Sequence, residues 1–394
     1  MDKWIEINVD AVKNNLREVR SLLDDKTNLI AVIKANAYGH GAEGMAQILV
    51  QNGVTFLAVS FLEEALQLRR SGINASILIF SPVVSYEDAR DSILNKLTLT
   101  VSSDADRMLL ERVGADLNTQ VTVHLKIDTG LGRFGVTIED AVDVFREIKD
   151  SKILDLEGIY SHCADPSSAK YTEHQFNKFM ALVNRLEQEE MSVPIKHFAN
   201  SSVFLRSPHM SLNAVRIGTL LSGQHPAGKF PRHLQLEDPF KFKSRIISIK
   251  SMKKASYLGY YRTFRLQNDA QIAVIPVGFN DGLAVEVANR PTGILDLIKK
   301  IIKLILNYLN YGRLSINVKI NGNKYPVRGK VFMQMALIEI PLRVKINIGD
   351  VVEVPVRKTL VSQGIDRIYI QESDWQNQNN GSQFEEYRVD KTGN

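Results

Sequence analysis

A lysine at the end of an apolar run is the first residue whose position could support chemistry. Lys34 closes the run Leu29–Lys34 and is followed by Ala-Asn-Ala-Tyr-Gly-His-Gly. A half-buried amine is easier to deprotonate, and an unprotonated lysine amine is what forms a Schiff base with a carbonyl compound. The ordinary alternative is a lysine whose stem lies over apolar neighbours and whose amine reaches water. Gly39 and Gly41 favour the chemical interpretation, because glycines let the backbone approach a bound anion.

Four more polar clusters follow apolar runs farther along the chain. The segment from Lys126 to Gly135 places three glycines around Arg133, which is typical of an anion-binding turn. The other clusters are Ser161-His162-Cys163, His197–Ser202 and Arg216-Ile-Gly218. A lone histidine in such a place is more often a hydrogen-bonded structural residue. Five clusters after successive apolar runs are hard to explain by stability alone.

The elements that position these clusters alternate between short β-rich runs and segments of helical period. The candidate strands are Leu29–Lys34, Thr55–Ser60, Ser76–Phe80, Thr98–Val101, Val121–Ile127, Gly158–His162, Ile195–Ala199 and Ala214–Ile217. Candidate helices include Leu62–Arg70, Ile138–Lys149 and Glu173–Glu190. Eight such units predict an α/β fold, a (β/α)8 barrel with its functional groups at the carboxyl ends of the strands. An open doubly wound sheet is the alternative, but no Gly-x-Gly-x-x-Gly turn follows the first strand.

After about residue 230 the pattern changes to strands joined by short turns. The predicted strands are Phe240–Lys250, Ile272–Val277, Ser315–Ile320, Lys330–Ile340 and Asp350–Val354. Asn321–Gly322 is predicted to be the tip of a hairpin. We therefore expect a barrel domain over residues 1–232, a mostly β C-terminal domain over 233–375, and a flexible polar tail over 376–394. The first residues are free to join the C-terminal domain.

Composition narrows the function classes. The chain of 394 residues is 44% hydrophobic and 24% charged, with a net charge of +5 that no long basic block concentrates. These values predict a globular protein without a nucleic-acid partner. The single cysteine, Cys163, and an N-terminus without a signal-like apolar region indicate the cytoplasm. The segment Ile294–Tyr311 carries too many polar residues for a membrane span, so no membrane partner is expected, and no metal site is predicted.

The motif around the first lysine resembles the cofactor-lysine motif of alanine racemases. Val-Ile-Lys34-Ala-Asn-Ala-Tyr38-Gly-His-Gly carries the resemblance. The opening Trp-Ile-Glu-Ile-Asn-Val-Asp and the later clusters fall in the order and spacing of that family. The resemblance covers about Trp4 to Glu353 and is weakest after Asn289.

The resemblance implies a pyridoxal 5'-phosphate enzyme and assigns a role to each matched residue. Lys34 would hold the cofactor and act as one of two bases. Arg216 would face the pyridine nitrogen, and His162 would belong to the hydrogen-bond network between Arg216 and the second base. Arg133 would hold the substrate side, oriented by Lys126, which is often carbamylated in this family. The phosphate would be bound by Tyr38, Ser201, Gly218 and Thr219.

The second base in this family is a tyrosine of the β domain that reaches the partner subunit's site, so the resemblance implies a homodimer with shared active sites. Three tyrosines, at 257, 260 and 261, compete for the role. The family pattern places the base 18 residues ahead of a Gly-Tyr-Ala-Asp-Gly turn, and Tyr260 precedes Gly278 of Gly-Phe-Asn-Asp-Gly by that spacing. We assign Tyr260, and interpret Tyr257 or Tyr261 as better suited to a β-domain core.

Several positions depart from the family pattern. The turn has Phe279 where tyrosine is usual, and the substrate-contacting Cys-Met-Asp-Gln motif is replaced by Phe332-Met333-Gln334-Met335, which keeps only Met333. Tyr261 replaces a glycine, and Gln363 aligns with a phosphate-binding tyrosine, with Tyr369 nearby. These changes leave the cofactor chemistry intact and put the preference for alanine in doubt.

The function that this implies is racemisation of L-alanine and D-alanine, as in D-alanine biosynthesis, by a two-base mechanism with Lys34 and Tyr260. A racemase of the same family with broader or different amino-acid specificity is the alternative. A barrel-type decarboxylase would need an acidic group at the ring nitrogen, and Arg216 argues against it. A cofactor-carrying homeostasis protein on the same barrel would lack the β domain that contains Tyr260.

Overall fold

The chain forms two compact units. A computed structural model describes residues 1–191, 193–286, 290–291, 293–308 and 316–371. One unit, the barrel unit, is Asn8–Pro239; the other, the β unit, joins Met1–Ile7 to the described part of 240–387. The first strand, β1 (Lys3–Asn8), pairs antiparallel with a strand that begins at Phe240.

The barrel unit contains eight parallel strands that close on themselves. They are β2 (Asn28–Val32), β3 (Phe56–Val59), β4 (Ser76–Ile79), β5 (Leu99–Val101), β6 (Val121–Lys126), β7 (Leu154–Tyr160), β8 (Ile195–Asn200) and β9 (Ala214–Ile217). The order is β4-β3-β2-β9-β8-β7-β6-β5, and a parallel bridge between Leu78 and Thr98 joins β4 to the start of β5. The predicted (β/α)8 barrel is confirmed. Because both faces of such strands are covered, β2, β3 and β4 are almost entirely apolar, whereas β6, β7 and β8 also contain polar residues.

Helices connect these strands. They are α1 (Val9–Arg20), α2 (Lys34–Tyr38), α3 (Ala42–Gln51), α4 (Leu62–Arg70), α5 (Tyr86–Leu94), α6 (Asp104–Asp116), α7 (Ala141–Asp150), α8 (Ala169–Gln188) and α9 (Ser201–Arg206). Serine side chains at 85, 103 and 168 accept a backbone N–H from the first turns of α5, α6 and α8, which fixes where these helices begin. The prediction for Leu62–Arg70 is confirmed; α7 begins three residues later than predicted.

The β unit is built on a nine-stranded antiparallel sheet of order β11-β14-β17-β16-β15-β18-β10-β1-β19 and a short pair, β12-β13. The strands are β10 (Phe240–Arg245), β11 (Ser248–Met252), β12 (Tyr257–Leu258), β13 (Phe264–Arg265), β14 (Ala270–Ile275), β15 (Asn317–Ile320), β16 (Asn323–Arg328), β17 (Ala336–Pro341), β18 (Val351–Val354) and β19 (Arg367–Ile370). The hairpin tip at Asn321–Gly322 is confirmed, with φ of 48° and 78° at the two turn residues.

Several strand predictions in the β unit are wrong in extent. Phe240–Lys250 is two strands, and Lys330–Ile340 is a strand only from Ala336. The backbone before Ala336 pairs elsewhere, since the carbonyls of Phe332 and Met333 accept from Phe279 N and Asn280 N, each at 3.0 Å. β16 and β19 are strands that the sequence did not predict. β16 is polar and contains Pro326, and a proline argues against a strand.

The segment Ile294–Tyr311, which the sequence excludes as a membrane span, forms a fifteen-residue helix, α10 (Ile294–Tyr308). The last predicted residues of this segment, 309–311, and the predicted tail, 376–394, lie outside the described residues. No helix in the described part of the chain is long and apolar enough to cross a membrane.

Candidate functional site

The carboxyl ends of the barrel strands surround a cavity of about 380 Å³. It is lined by all nine residues that the sequence predicts for the barrel site. Its lining is Val32, Lys34, Tyr38, Ser60, Phe61, Phe80, Ser81, Lys126, Arg133, Phe134, Tyr160, His162, Asn200, Ser201, Ser202, Arg216, Gly218 and Thr219. The cavity therefore belongs to the barrel unit and combines two amines, two guanidinium groups and several hydroxyls.

The prediction that Lys34 closes its strand is wrong. β2 ends at Val32, and Lys34 begins a left-handed turn after it. The four residues from Ala35 to Tyr38 have φ between 50° and 55°, although none is glycine. Each such residue costs on the order of 1–2 kcal/mol, so the turn needs support. Asn36 Oδ1 accepts from Ala42 N at 2.7 Å, and Gly39, at φ 92°, closes the turn. The strain is concentrated beside the residue that would do the chemistry.

Glu64 is the side chain that fastens this turn. One carboxylate oxygen accepts from Ala35 N at 2.5 Å, and the other accepts from Ser60 N at 2.8 Å and Phe61 N at 3.1 Å. The carboxylate thus joins the Lys34 turn to the start of α4. Glu64 is not among the site residues predicted from the sequence. Its signal was an acidic residue at the third position of a helix, where carboxylates reach back to free backbone N–H groups.

Burial and neighbouring charge make the Lys34 amine easier to deprotonate. Burial is the main cause that lowers its pKa; Arg133 and Arg216 also lower it, and Glu64 opposes them. Burial raises the pKa of Tyr38 to about 12, with a smaller contribution from Glu64. At neutral pH Tyr38 therefore keeps its proton, and its hydroxyl can donate a hydrogen bond to an anion.

Tyr38 lies against a second turn that could cradle a phosphate. A Cβ at Gly218 would lie 2.3 Å from the Tyr38 hydroxyl oxygen, so only glycine allows the ring this close. Gly218 N donates to Ser201 Oγ at 3.4 Å, and Asn200 Oδ1 accepts from the N–H groups of Ser202 and Val203. Backbone N–H groups and hydroxyls that converge in this way fit a phosphate dianion.

Arg216 is buried and held by acceptors from two strands. Its guanidinium donates to the carbonyls of Ser161, His197 and Phe198 at 2.7–3.0 Å, and to His197 Nδ1 at 2.8 Å. It also lies 3.3 Å from His162 Nδ1. Burial lowers the pKa of Arg216 to about 10, which leaves it charged at neutral pH. Burial and Arg216 hold the pKa of His162 well below its usual range, so this imidazole is neutral.

A chain of hydrogen bonds runs from Arg216 through the barrel interior. Arginine can only donate, so His197 Nδ1 accepts and its Nε2 carries the proton. His197 Nε2 then donates to His124 Nδ1 at 2.8 Å, and His124 Nε2 donates to Glu157 Oε2 at 3.0 Å. Burial is the main cause that lowers the pKa values of both histidines. We call Arg216, His197, His124 and Glu157 the Arg216 relay.

Sequence reasoning missed His124 and Glu157, because each lies within a strand and not at its carboxyl end. A Cβ at Gly158 would lie 2.5 Å from the His124 ring, so the strand needs glycine at the point where the relay passes. Tyr160 stacks on His197 with ring centroids 4.6 Å apart and bonds Thr100 Oγ1 at 2.9 Å. The barrel interior is therefore an ordered polar network as well as an apolar core.

Arg133 and Lys126 meet around the Phe134 ring on the other side of the cavity. Lys126 Nζ lies 3.8 Å and the Arg133 guanidinium carbon 4.8 Å from the ring centroid. Burial, then Arg133 and Arg216, lower the pKa of Lys126 to about 7. Asp128 accepts from the N–H groups of residues 130–132 and so shapes the glycine turn that carries Arg133.

The predicted second base lies in the β unit, on a strained and exposed turn. Tyr260 is 64% exposed, and its ring packs edge-on against Phe332 at 5.1 Å. Tyr261 and Arg262 have φ of 60° and 53°. Tyr257 and Tyr261 are 49% and 84% exposed, so the interpretation of these two as core residues is wrong.

The residues that depart from the family pattern surround the Tyr260 turn. Phe279, Met333 and Met335 are exposed, and Phe332 is half-buried. A Cβ at Gly278 would lie 2.3 Å from the carbonyl oxygens of both Phe332 and Met333. This close approach holds the two segments side by side, so an aromatic and methionine surface flanks Tyr260. The surface lacks the hydroxyl and the carboxylate that the family pattern would place there.

Comparisons with known proteins agree over most of the chain. The family model described as alanine racemase, N-terminal domain, matches residues 7–226, and the C-terminal domain model matches residues 240–369. The alanine racemase of Methanococcus maripaludis is 32% identical over 355 residues, which is 89% of this chain and 88% of that protein. Alanine racemase 1 of Caldanaerobacter subterraneus subsp. tengcongensis is 33% identical over 349 residues, covering 88% and 83%.

Solved structures show the same similarity. The alanine racemase of Clostridium difficile 630 superposes with a TM-score of 0.82 at 28% identity, covering 94% of this chain and 96% of that one. The alanine racemase of Bacillus anthracis with bound L-Ala-P gives a TM-score of 0.77 at 27% identity, covering 94% and 95%.

Proposed function

The chain belongs to the alanine racemase family of isomerases, and from that premise we propose that it interconverts L-alanine and D-alanine with pyridoxal 5'-phosphate. The observation that carries the proposal is the strained Lys34 turn facing the buried cation Arg216 in one cavity. The cofactor, when bound, draws electrons from the amino acid's Cα and so stabilises the negative charge left by removal of the α-proton. The reaction belongs in the cytoplasm, which suits a chain with one buried cysteine.

The cavity residues fit this cofactor. Lys34 would bind it covalently, since the lowered pKa of its amine supplies the unprotonated nucleophile. Tyr38, Ser201 and the backbone of Gly218 and Thr219 would hold its phosphate. The glycine that admits the Tyr38 ring supports this assignment, because a side chain there would fill the cradle.

Arg216 would select the reaction type. It stays protonated at neutral pH and cannot accept a proton from the ring nitrogen or donate its own outright. The ring nitrogen would remain unprotonated, so electron withdrawal is restrained. Restraint favours return of a proton to Cα over decarboxylation or transamination. A decarboxylase would place a carboxylate here.

Two bases on opposite faces of the substrate would move the proton. Lys34 takes the α-proton of one enantiomer, and Tyr260 takes that of the other; the conjugate acid opposite returns a proton. Tyr260 would act in a homodimer, with Tyr260 of the partner subunit reaching each barrel cavity. Its high exposure on a strained turn supports a role at a surface that a second subunit completes.

Arg133 and Met333 would contact the substrate, and Lys126 would orient Arg133 as a carbamate. A neutral lysine amine adds CO₂ and releases one proton, which gives an N-carboxylate. Because the pKa of Lys126 is lowered to about 7, the neutral amine should form as pH rises through 7 and disappear below it. With ¹³C-bicarbonate, we expect a carbamate NMR signal at pH 8 that is lost at pH 6. Its persistence in Lys126→Met, or its absence at pH 8, would refute the assignment.

Alanine is the default substrate, and a broader or shifted range is the second candidate because Phe279 and Phe332 remove polar groups beside Tyr260. The deciding assay is chiral chromatography of the twenty L-amino acids after incubation with enzyme and cofactor. We expect D-alanine to accumulate until the two enantiomers are equal. No D-enantiomer from any substrate would refute racemase activity.

The shared site has its own test. Lys34→Ala and Tyr260→Phe subunits should each be inactive alone and should recover part of the activity when mixed. In a hybrid dimer one of the two sites contains both an intact Lys34 and an intact Tyr260. Absence of recovery, in samples shown by mass spectrometry to have exchanged subunits, would contradict a shared site.

A further inference from the structure

Helix α10 separates its polar and apolar side chains completely over residues 294–306. At ~100° per residue, the polar residues Asp296, Lys299, Lys300 and Lys303 fall within one arc of about 100°. The remaining positions are all isoleucine or leucine and occupy an arc of about 200°. They are Ile294, Leu295, Leu297, Ile298, Ile301, Ile302, Leu304, Ile305 and Leu306.

The apolar arc is not packed into a core. Eight of its side chains, all except Leu306, are 45–77% exposed. A continuous exposed surface of large aliphatic side chains marks an interaction site rather than a scattered surface feature. Nothing in the racemase chemistry uses this helix, so it needs a separate explanation.

We infer that α10 is a membrane-surface helix that lies flat in the interface of an anionic lipid layer. A helix with a wide aliphatic face and lysines on a narrow polar face is the form that buries its apolar side at the level of the headgroups. The lysines complement lipid phosphates, each contributing attraction near an anionic surface. The expectation of no membrane partner considered only a span. This helix is about 22 Å long, too short to cross the ~30 Å hydrocarbon layer.

The width of the apolar arc favours a lipid layer over a second helix. A pair of helices buries a narrow seam from each, whereas about 200° of this circumference is aliphatic. A lipid layer covers such a width, because the helix sinks to its flanking polar residues. The lysines border the arc on both sides, with Lys299 near one edge and Lys300 near the other.

Ion pairs on the polar face leave this attraction in place. Lys300 pairs with Asp296 at 3.2 Å, and Lys303 pairs with Glu286. All four side chains are more than a third exposed, so these pairs are weak and can exchange for lipid phosphates. The segment 294–306 keeps a net charge of +2, three lysines against one aspartate.

The test is co-sedimentation of the full-length holoenzyme with vesicles of phosphatidylcholine alone and of an equimolar mixture with phosphatidylglycerol. We expect binding to the anionic vesicles at least ~10-fold tighter than to the neutral ones, with the preference reduced in high salt. Ile301→Glu should weaken anionic binding by at least ~10-fold and leave racemase activity unchanged. Ile348→Glu is the control, since Ile348 is another exposed isoleucine of the β unit, 68% exposed against 47% for Ile301, and should not affect binding.

A second variant tests the charge separately. Lys299→Glu with Lys303→Glu keeps the apolar arc and should abolish the preference for anionic vesicles. The inference is overturned by equal binding to both vesicles, by no sedimentation with either, or by an equal loss in Ile348→Glu. It is also overturned if Ile301→Glu changes the oligomer mass in light scattering without affecting vesicle binding, which would identify a second copy as the occupant. Racemase activity in the same samples is independent of all these outcomes.

Discussion

Two turns in the described part of the chain have consecutive non-glycine residues in left-handed backbone, and they are supported very differently. The Lys34 turn of the barrel unit is fastened by the half-buried carboxylate of Glu64, an asparagine side chain and a closing glycine. The Tyr260 turn of the β unit is exposed and supported by ring contacts, including Tyr260 on Phe332 and Lys330 over Tyr261 at 5.1 Å. Both place strain beside a candidate base.

The difference bears on the proposal that two subunits share the site. Strained backbone persists where its surroundings determine it fully. The Lys34 turn meets that condition within the barrel unit, so the cofactor-binding half is finished when the barrel folds. The exposed Tyr260 turn fits the proposed role of a group whose surroundings are completed by assembly. The predictions below test that contrast.

The largest effect should come from removing the amine of the fastened turn. Lys34→Ala should reduce kcat/KM by about 10⁴-fold, the upper range for a positioned acid–base group, and should remove the absorption of the bound cofactor near ~420 nm. Lys149→Ala, an exposed lysine of α7, is the control and should change neither. Retention of the band, with reductive trapping of the cofactor on another lysine, would disprove the assignment.

Tyr260→Phe should lower activity by about 10²–10³-fold and leave the cofactor band intact, because the phenol acts on the substrate and not in cofactor binding. Tyr261→Phe removes the same atom from the neighbouring ring and should change kcat/KM by less than ~2-fold. Steady-state kinetics in both directions measure the two effects. A larger loss in Tyr261→Phe would transfer the role to that residue.

Glu64→Gln should loosen the fastened turn without touching the cofactor. We expect unfolding free energy to fall by about 1–3 kcal/mol, since a charged acceptor of three backbone N–H groups is weakened. Activity should fall by roughly 10-fold, because a small displacement of a positioned group is costly. Glu63→Gln, the exposed neighbour on the same helix, should alter neither quantity. If both variants behave alike in urea unfolding and kinetics, the carboxylate does not support the turn.

The smallest effect concerns the surface beside Tyr260. Phe279→Tyr restores the hydroxyl usual in the family and should raise the ratio of kcat/KM for alanine over that for serine by roughly 3–10-fold. Phe134→Tyr makes the same change within the barrel cavity and serves as a comparison. A wild-type enzyme that already prefers alanine strongly would contradict a shifted range and leave racemisation in place.

The two regions also differ in how far the sequence predicts them. The barrel follows from its repeated β and α pattern, and the cavity residues follow from the polar clusters after each strand. Glu64, His124 and Glu157 could not be found in this way, because each acts through a distant contact that periodicity does not encode. In the β unit the aromatic residues of the Tyr260 segment suggested a core, yet Tyr257 and Tyr261 are exposed. The polar sequence of β16 does not predict a strand. Its pairing with β15 depends on the hairpin turn at Asn321–Gly322 and not on a hydrophobic pattern.

The Arg216 relay has a consequence for how this enzyme can evolve. The hydrogen-bond partners of the guanidinium are carbonyl oxygens and a neutral imidazole nitrogen, all of which accept hydrogen bonds from it. A carboxylate at position 216, the single substitution that would open a path toward decarboxylation, would place a buried anion against these oxygens at a cost of several kcal/mol. A change of reaction type would therefore also require substitutions in the residues that surround position 216, including His162 and His197. On the proposed mechanism, reaction type is therefore tied to the barrel's folding stability. Substrate preference, which we propose depends on the exposed surface around Phe279 and Met333, can change without that cost.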